Sequence, residues 1–126
     1  MYDINESPVG WYVASYIIRF VGLDEKGSND LAEKFDASEN TILLQAPSFE
    51  RAYERVLELA ALETQPYKNL GAIDVKWEFV GVSELIPIYE DLEDGAEIMY
   101  REHNEKLSVL MGMVKSNDEL RANPKI

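Results

Sequence analysis

The chain predicts an α+β domain, a mainly antiparallel sheet of about four strands with one long amphipathic helix packed on one face. Three stretches carry that prediction. "WYVASYIIRFVG", residues 11–22, is aromatic and β-branched, which is strand composition. "SFERAYERVLELAALE", residues 48–63, holds apolar side chains at helical intervals. Residues 73–85 alternate apolar and polar as a half-buried strand does.

The elements follow in order. Residues 1–9 read as a polar arm closed by Pro8. In the first strand, Tyr12, Ala14, Tyr16, Ile18 and Phe20 share one face. Trp11, Val13, Ser15, Ile17, Arg19 and Val21 share the other. Both faces are largely apolar, so the strand is expected to be central and covered on both sides. Residues 23–30, "LDEKGSND", are turn-forming, and a short helix after Asp30 is only weakly patterned. "TILLQAP", residues 41–47, reads as a second strand ending at Pro47.

Ser48 then caps a helix over 48–63, with Glu50 in the first turn where the dipole favours an anion. Phe49, Ala52, Tyr53, Val56, Leu57, Leu59 and Ala60 fall on one side. Glu50, Arg51, Glu54, Arg55 and Glu58 fall on the other, with Arg51–Glu54 and Arg55–Glu58 spaced to pair. After the loop 64–72, Ile73, Val75, Trp77 and Phe79 point one way and Asp74, Lys76 and Glu78 the other. The apolar parity slips at Val80 and Val82, and a β-bulge near Gly81 would restore the facing. The strand order also permits a crossover through the helix, with one parallel pair. Asp94-Gly95 is a turn signal before a last strand, "AEIMY". Residues 105–115 fit a helix through Leu107, Leu110, Met111 and Val114, and fit a strand through Leu107, Val109, Met111 and Met113; a helix is favoured. Ser116 and Glu119 have capping-box spacing.

The 126 residues suit a single domain, 1–126, with a conventional core. There are no cysteines, which excludes disulfides, thiolate metal sites and cysteine nucleophiles. The opening "MYDINESPVGW" has acids where a signal peptide needs positive charge, and Arg19 breaks the apolar run from Val13 to Val21. A cytoplasmic location is the expectation. Twelve Lys and Arg against 24 Asp and Glu give a net charge of −12. That disfavours nucleic acid and anionic membranes as partners and favours a basic protein; the plainer reading is solubility.

No nucleophile elbow, P-loop or dinucleotide-binding glycine motif is present. The single histidine, His103, lies beside Glu102 and reads as a surface residue rather than a lone general base. The acidic run "YEDLEDGAE", residues 89–97, fails as a calcium loop, because Leu92 and Arg101 would fall at ligand positions. A looser Mg²⁺ site from Glu90, Asp94 and Glu97 competes with a plain solvated turn, and no metal or cofactor is assigned. Tyr12, Tyr16, Tyr53 and Tyr67, with Trp11 and Trp77, would line either a pocket or the core. Arg19 on an apolar strand needs a carboxylate if it faces inward and means little if it snorkels at an edge. The ligand-binding candidates are therefore Trp11, Arg19, Tyr67 and Trp77, with no catalytic residue assigned.

Several of these residues also carry a resemblance. Trp11 and Tyr12, then Ala46, Ser48 and Ala52, then Tyr67, Asn69 and Gly71, then Trp77, Phe79 and Val80, then Asp94, Gly95 and Glu97 follow a pattern. In that pattern the chain resembles DUF4288, a bacterial family of unknown function, over about residues 11 to 100, leaving 101–126 as an extension. The resemblance implies an α+β domain and a bacterial setting, and it carries no catalytic residues. The function expected is non-enzymatic protein interaction, in its sharpest form antitoxin- or immunity-like binding of a basic partner. The alternatives are a small-ligand-binding domain or enzyme with an aromatic pocket anchored by Arg19, and a metal-dependent enzyme using the acids near Gly95. The second apolar face of strand 11–22 needs cover from the C-terminal segment or from a second subunit, so a homodimer is one solution.

Overall fold

The computed structural model describes residues 3–22, 30–64, 67–68 and 74–121. β1 (Trp11–Gly22), β2 (Ala37–Gln45), β3 (Tyr67–Lys68) and β4 (Asp74–Pro87) lie in the order β2-β1-β4-β3, and every neighbouring pair is antiparallel. The α+β class and the antiparallel pairing agree with the sequence. Three long strands carry the sheet, and β3 adds two residues at one edge. α1 (Phe49–Glu63) has fifteen residues, an ordinary length for a globular helix. α2 (Leu107–Gly112) and α3 (Asn117–Arg121) follow a long irregular stretch.

The central position of β1 follows from its two apolar faces. Its pairing with β2 and β4 puts Tyr12, Ala14, Tyr16 and Ile18 on the face that α1 covers. There they meet Leu44 and Ala46 on one side and Ala52, Val56 and Ala60 from the helix. Each fully buried aliphatic side chain of this kind contributes about 1.5–3 kcal/mol. The small residues of α1 let its axis approach the sheet, while Phe49 and Leu59 close the flanks. Ser48 caps the helix by accepting from the Arg51 N–H at 3.1 Å.

β2 and β4 run parallel to each other on either side of β1, joined through α1. The crossover is therefore present, but no two neighbouring strands are parallel. The slip at Gly81 becomes two register shifts. Ser15 pairs with Glu84 and Tyr16 with Val82; Ile17 pairs with Gly81 and Ile18 with Phe79. Ser83 and Val80 are the extra residues, and the shifts keep Phe79, Val82 and Leu85 on the helix face.

Three expectations need correction, and the weakly patterned stretch after Asp30 is resolved. Residues 96–100 form no strand: Ala96 and Met99, three apart, are the half-buried ones, so the two-residue period of a ladder is missing. No helix follows Asp30. Its side chain and carbonyl instead accept from Ala32 and Glu33, both at 3.0 Å, closing a turn. β2 begins four residues earlier than Thr41, because pairing with Arg19–Tyr16 extends the polar stretch Ala37–Asn40. The predicted Arg55–Glu58 pair is replaced: Glu58 is held by Arg51 at 3.1 Å, and Arg55 donates to the Gln45 carbonyl at 2.8 Å. The Arg51–Glu54 pair is present at 3.3 Å. Asn69 and Gly71 lie outside the described residues.

The N-terminal arm is a clamp rather than a loose end. The Ser7 hydroxyl donates to the Ile88 carbonyl at 2.5 Å and accepts from the N–H groups of Val9 and Trp11. Glu6 accepts from the Tyr12 hydroxyl and from the Phe49 N–H, so one carboxylate joins the arm, β1 and the start of α1. The C-terminal residues 105–115 include a short helix, α2, and the Ser116–Glu119 capping box forms reciprocally at 3.2 and 3.0 Å.

Candidate functional site

The face of β1 away from α1 holds Val13, Ser15, Ile17, Arg19 and Val21. Ser15 is 1% exposed, and its hydroxyl meets that of Thr41 at 2.8 Å. At the far end of this face stands Arg19. Its Nε donates to Glu78 Oε1 at 2.8 Å, and its Nη2 contacts the same oxygen. The pairing follows from the register, which sets Arg19 directly opposite Glu78 on β4. Their side chains are 20% and 33% exposed, so the pair is partly shielded and stronger than an open surface bridge. The guanidinium also lies 4.5 Å from the centre of the Phe35 ring, a cation–π arrangement. Arg19 thus has the carboxylate partner that an inward position would need, but it is half-buried at the wall of an open groove.

Around this pair lies an open groove of about 560 Å³. Leu31, Phe35, Phe79 and Val80 supply apolar wall, and Asp30, Glu33, Glu78 and Arg19 supply charge. Among the described residues the lining has three carboxylates to one guanidinium, which Glu78 already engages, so these residues carry net negative charge.

The four candidates from the sequence do not converge. Trp11 shares the Arg19 face but stands eight residues along β1, about 26 Å away at a strand's rise. Its N–H donates to Ser7 Oγ and its carbonyl accepts from Ile88. Trp77 lies on the opposite face, opposite Phe20, with the ring centres 5.4 Å apart and the rings edge to face. It packs against the helix-side core. Tyr67 pairs with Val75 in β3, and its side chain falls outside the described residues.

Tyr12 and Tyr16 are core residues. Burial raises both phenols above the ordinary value of 10.0; the hydrogen bond to Glu63 adds to the effect at Tyr16 and the charge of Glu6 at Tyr12. Sequence reasoning missed Phe35, Glu33 and Asp30. The available signal was a lone aromatic in a polar stretch, "LAEKFDASEN", but placing it over Arg19 requires the β1–β2 register.

The acidic run near Gly95 is a turn. Gly95 has φ +86, Ala96 N–H donates to the Glu93 carbonyl, and Glu97 N–H donates to Glu90 Oε1 at 3.4 Å. Among the described residues no group of three or more His, Cys, Asp or Glu side chains is placed to hold a metal ion. His103 is exposed. No helix among the described residues is long and apolar enough to cross a membrane.

A family model described as "Domain of unknown function (DUF4288)" matches residues 11–100, most of the chain. The chain belongs to the DUF4288 family. The family segment contains β1 to β4, α1 and the Arg19 groove, while α2 and α3 lie beyond it. Neither the curated proteins nor the solved structures include a match to the chain.

Proposed function

We propose that this DUF4288 domain is a non-enzymatic protein-interaction module that binds a basic partner, in the manner of an antitoxin or immunity protein. The composition of the Arg19 groove carries the reading. Among the described residues its lining combines apolar side chains with three carboxylates to one guanidinium, and it opens on a chain of net charge −12. A Lys or Arg side chain gains there from the carboxylates and buries its methylene stem on Phe35 and Leu31. The overall field steers such a partner toward the surface. Bacterial origin and a cytoplasmic setting fit this role and belong to the same proposal.

A second reading, a small-ligand pocket, draws on the same groove. Its ligand would be cationic or amphipathic rather than anionic, because Glu78 occupies the guanidinium. Titration with a Lys/Arg-rich amphipathic peptide and with its Glu-rich counterpart tests the first reading. Binding of the basic peptide that weakens with salt, and weakens several-fold in Glu33→Lys, supports it. Equal affinity for both peptides, or none for either, rejects it.

A further inference from the structure

The sheet ends on β2 at one side and, at the other, on β4 with β3 paired to its first two residues, and only the second side is protected. The outer edge of β4 is interrupted by the extra residues Val80 and Ser83, carries Lys76 and ends at Pro87. These are devices that discourage strand pairing. β2 has none of them, and among the described residues the outward group of its edge that a side chain covers is the Gln45 carbonyl at its end, which accepts from Arg55. Its nine residues, "ASENTILLQ", contain no Pro and no Lys, and its register with β1 runs without a shift. No strand pairs with its outer edge among the described residues.

Two hydrogen bonds fix which backbone groups that edge presents. Ala46 N–H donates to the Gly10 carbonyl and Phe20 N–H to the Asp36 carbonyl, each at 2.9 Å. In an antiparallel ladder this phase turns Ser38, Asn40, Ile42 and Leu44 toward β1. Glu39, Thr41 and Leu43 then turn their N–H and C=O groups outward. The outward Gln45 carbonyl agrees, since Arg55 reaches it from α1.

We propose that β2 pairs antiparallel with β2 of a second copy about a two-fold axis at Thr41, joining two sheets into one. The strand's own sequence selects that register. It is the one in which all nine residues overlap, and it sets the outward groups opposite outward groups. Thr41 meets Thr41 of the copy, a favourable cross-strand pair. Glu39, the strand's one charged side chain, meets Leu43 instead of its own copy. A four-residue slip, which moves the axis to Glu39, sets like charges face to face. Leu43 is 51% exposed in the single chain and gains cover from pairing. On the other face Leu62, 71% exposed, falls on the same flank of α1 as Arg55 and Leu59, toward the copy.

This interface is independent of the basic-partner reading, and salt separates the two. Two copies of charge −12 repel, so screening strengthens self-association and weakens capture of a cation. Sedimentation velocity on the whole chain over a concentration series, at low and high salt, reads the first. Amide exchange by NMR reads the edge itself. The expected result is a dimer favoured by salt, with Glu39, Thr41 and Leu43 amides protected in the dimer and fast on dilution. Leu43→Glu, which sets an acid against Glu39 at each of the two symmetry-related positions, weakens the dimer by about tenfold or more. Its circular dichroism stays that of the parent, because Leu43 is half exposed. A monomer at every concentration and salt overturns the proposal. So does a dimer in which those three amides exchange as fast as loop amides, or one that Leu43→Glu leaves unchanged. Peptide binding by a strict monomer would overturn this interface alone.

Discussion

Tyr16 joins the core to its polar rim. The side chain is 1% exposed, and its hydroxyl donates to Glu63 Oε1 at 2.6 Å while Asn40 holds the other carboxylate oxygen. Tyr16→Phe keeps the ring and removes that bond, at a cost of about 1 kcal/mol in urea unfolding near neutral pH. The raised phenol predicts pH dependence as well. Stability from the neutral phenol is intact below the unfolded value of 10.0 and falls as pH rises through the higher folded value. Alkaline unfolding of Tyr16→Phe is therefore less steep than that of the parent, with Tyr12 supplying the remainder. Glu119 runs the other way. The Ser116 N–H holds its carboxylate below the ordinary 4.5, so its contribution to α3 is present above that value and lost as pH falls through the lower folded one. Gly10 sits at φ +78, with a would-be Cβ 3.6 Å from the Ala46 carbonyl. Strain rather than crowding makes Gly10→Ala cost about 1–2 kcal/mol, readable as a lowered denaturation midpoint.

At the scale of elements, the parts with strong periodicity were legible and those fixed by partners were not. The two-residue period of β4 and the 3.6-residue period of α1 are properties of the local sequence, and Ser48 marks a helix start by its chemistry. Ser48→Ala removes the bond from the Arg51 N–H and costs about 1 kcal/mol, measured by thermal or urea unfolding. The slip at Gly81 was visible because a bulge changes parity. Its two-part form, at Val80 and at Ser83, depends on β1. The polar start of β2 and the Ser7–Glu6 clamp were not visible, because both are defined by distant partners: Arg19–Tyr16 for one, Ile88, Tyr12 and Phe49 for the other. The candidate site was legible at Arg19 alone. Trp11, Arg19 and Trp77 were candidates for one ligand site, and strand geometry divides them between two faces and two ends.

The whole molecule is a family domain with an acidic groove and a C-terminal segment that does not pack on it. Leu107, Met111 and Val114 are 69%, 65% and 75% exposed. Among the described residues no Cα of α2 or α3 comes within 8 Å of one in the sheet or α1, and Leu110 is the half-buried side chain of α2. A chain ending at Asn104 keeps Arg101 on Glu84, at 3.1 Å, and is expected to melt at the parent temperature. A large loss on that truncation would show that the segment supports the domain. The account rests most on the groove. Its decisive measurement is calorimetric titration of the intact chain with a Lys/Arg-rich amphipathic peptide at low and high salt, repeated with Glu33→Lys and Phe35→Ala. The account predicts binding that weakens as salt rises and falls in both variants, with the fold unchanged by circular dichroism. Binding that is insensitive to salt and to both substitutions would contradict it.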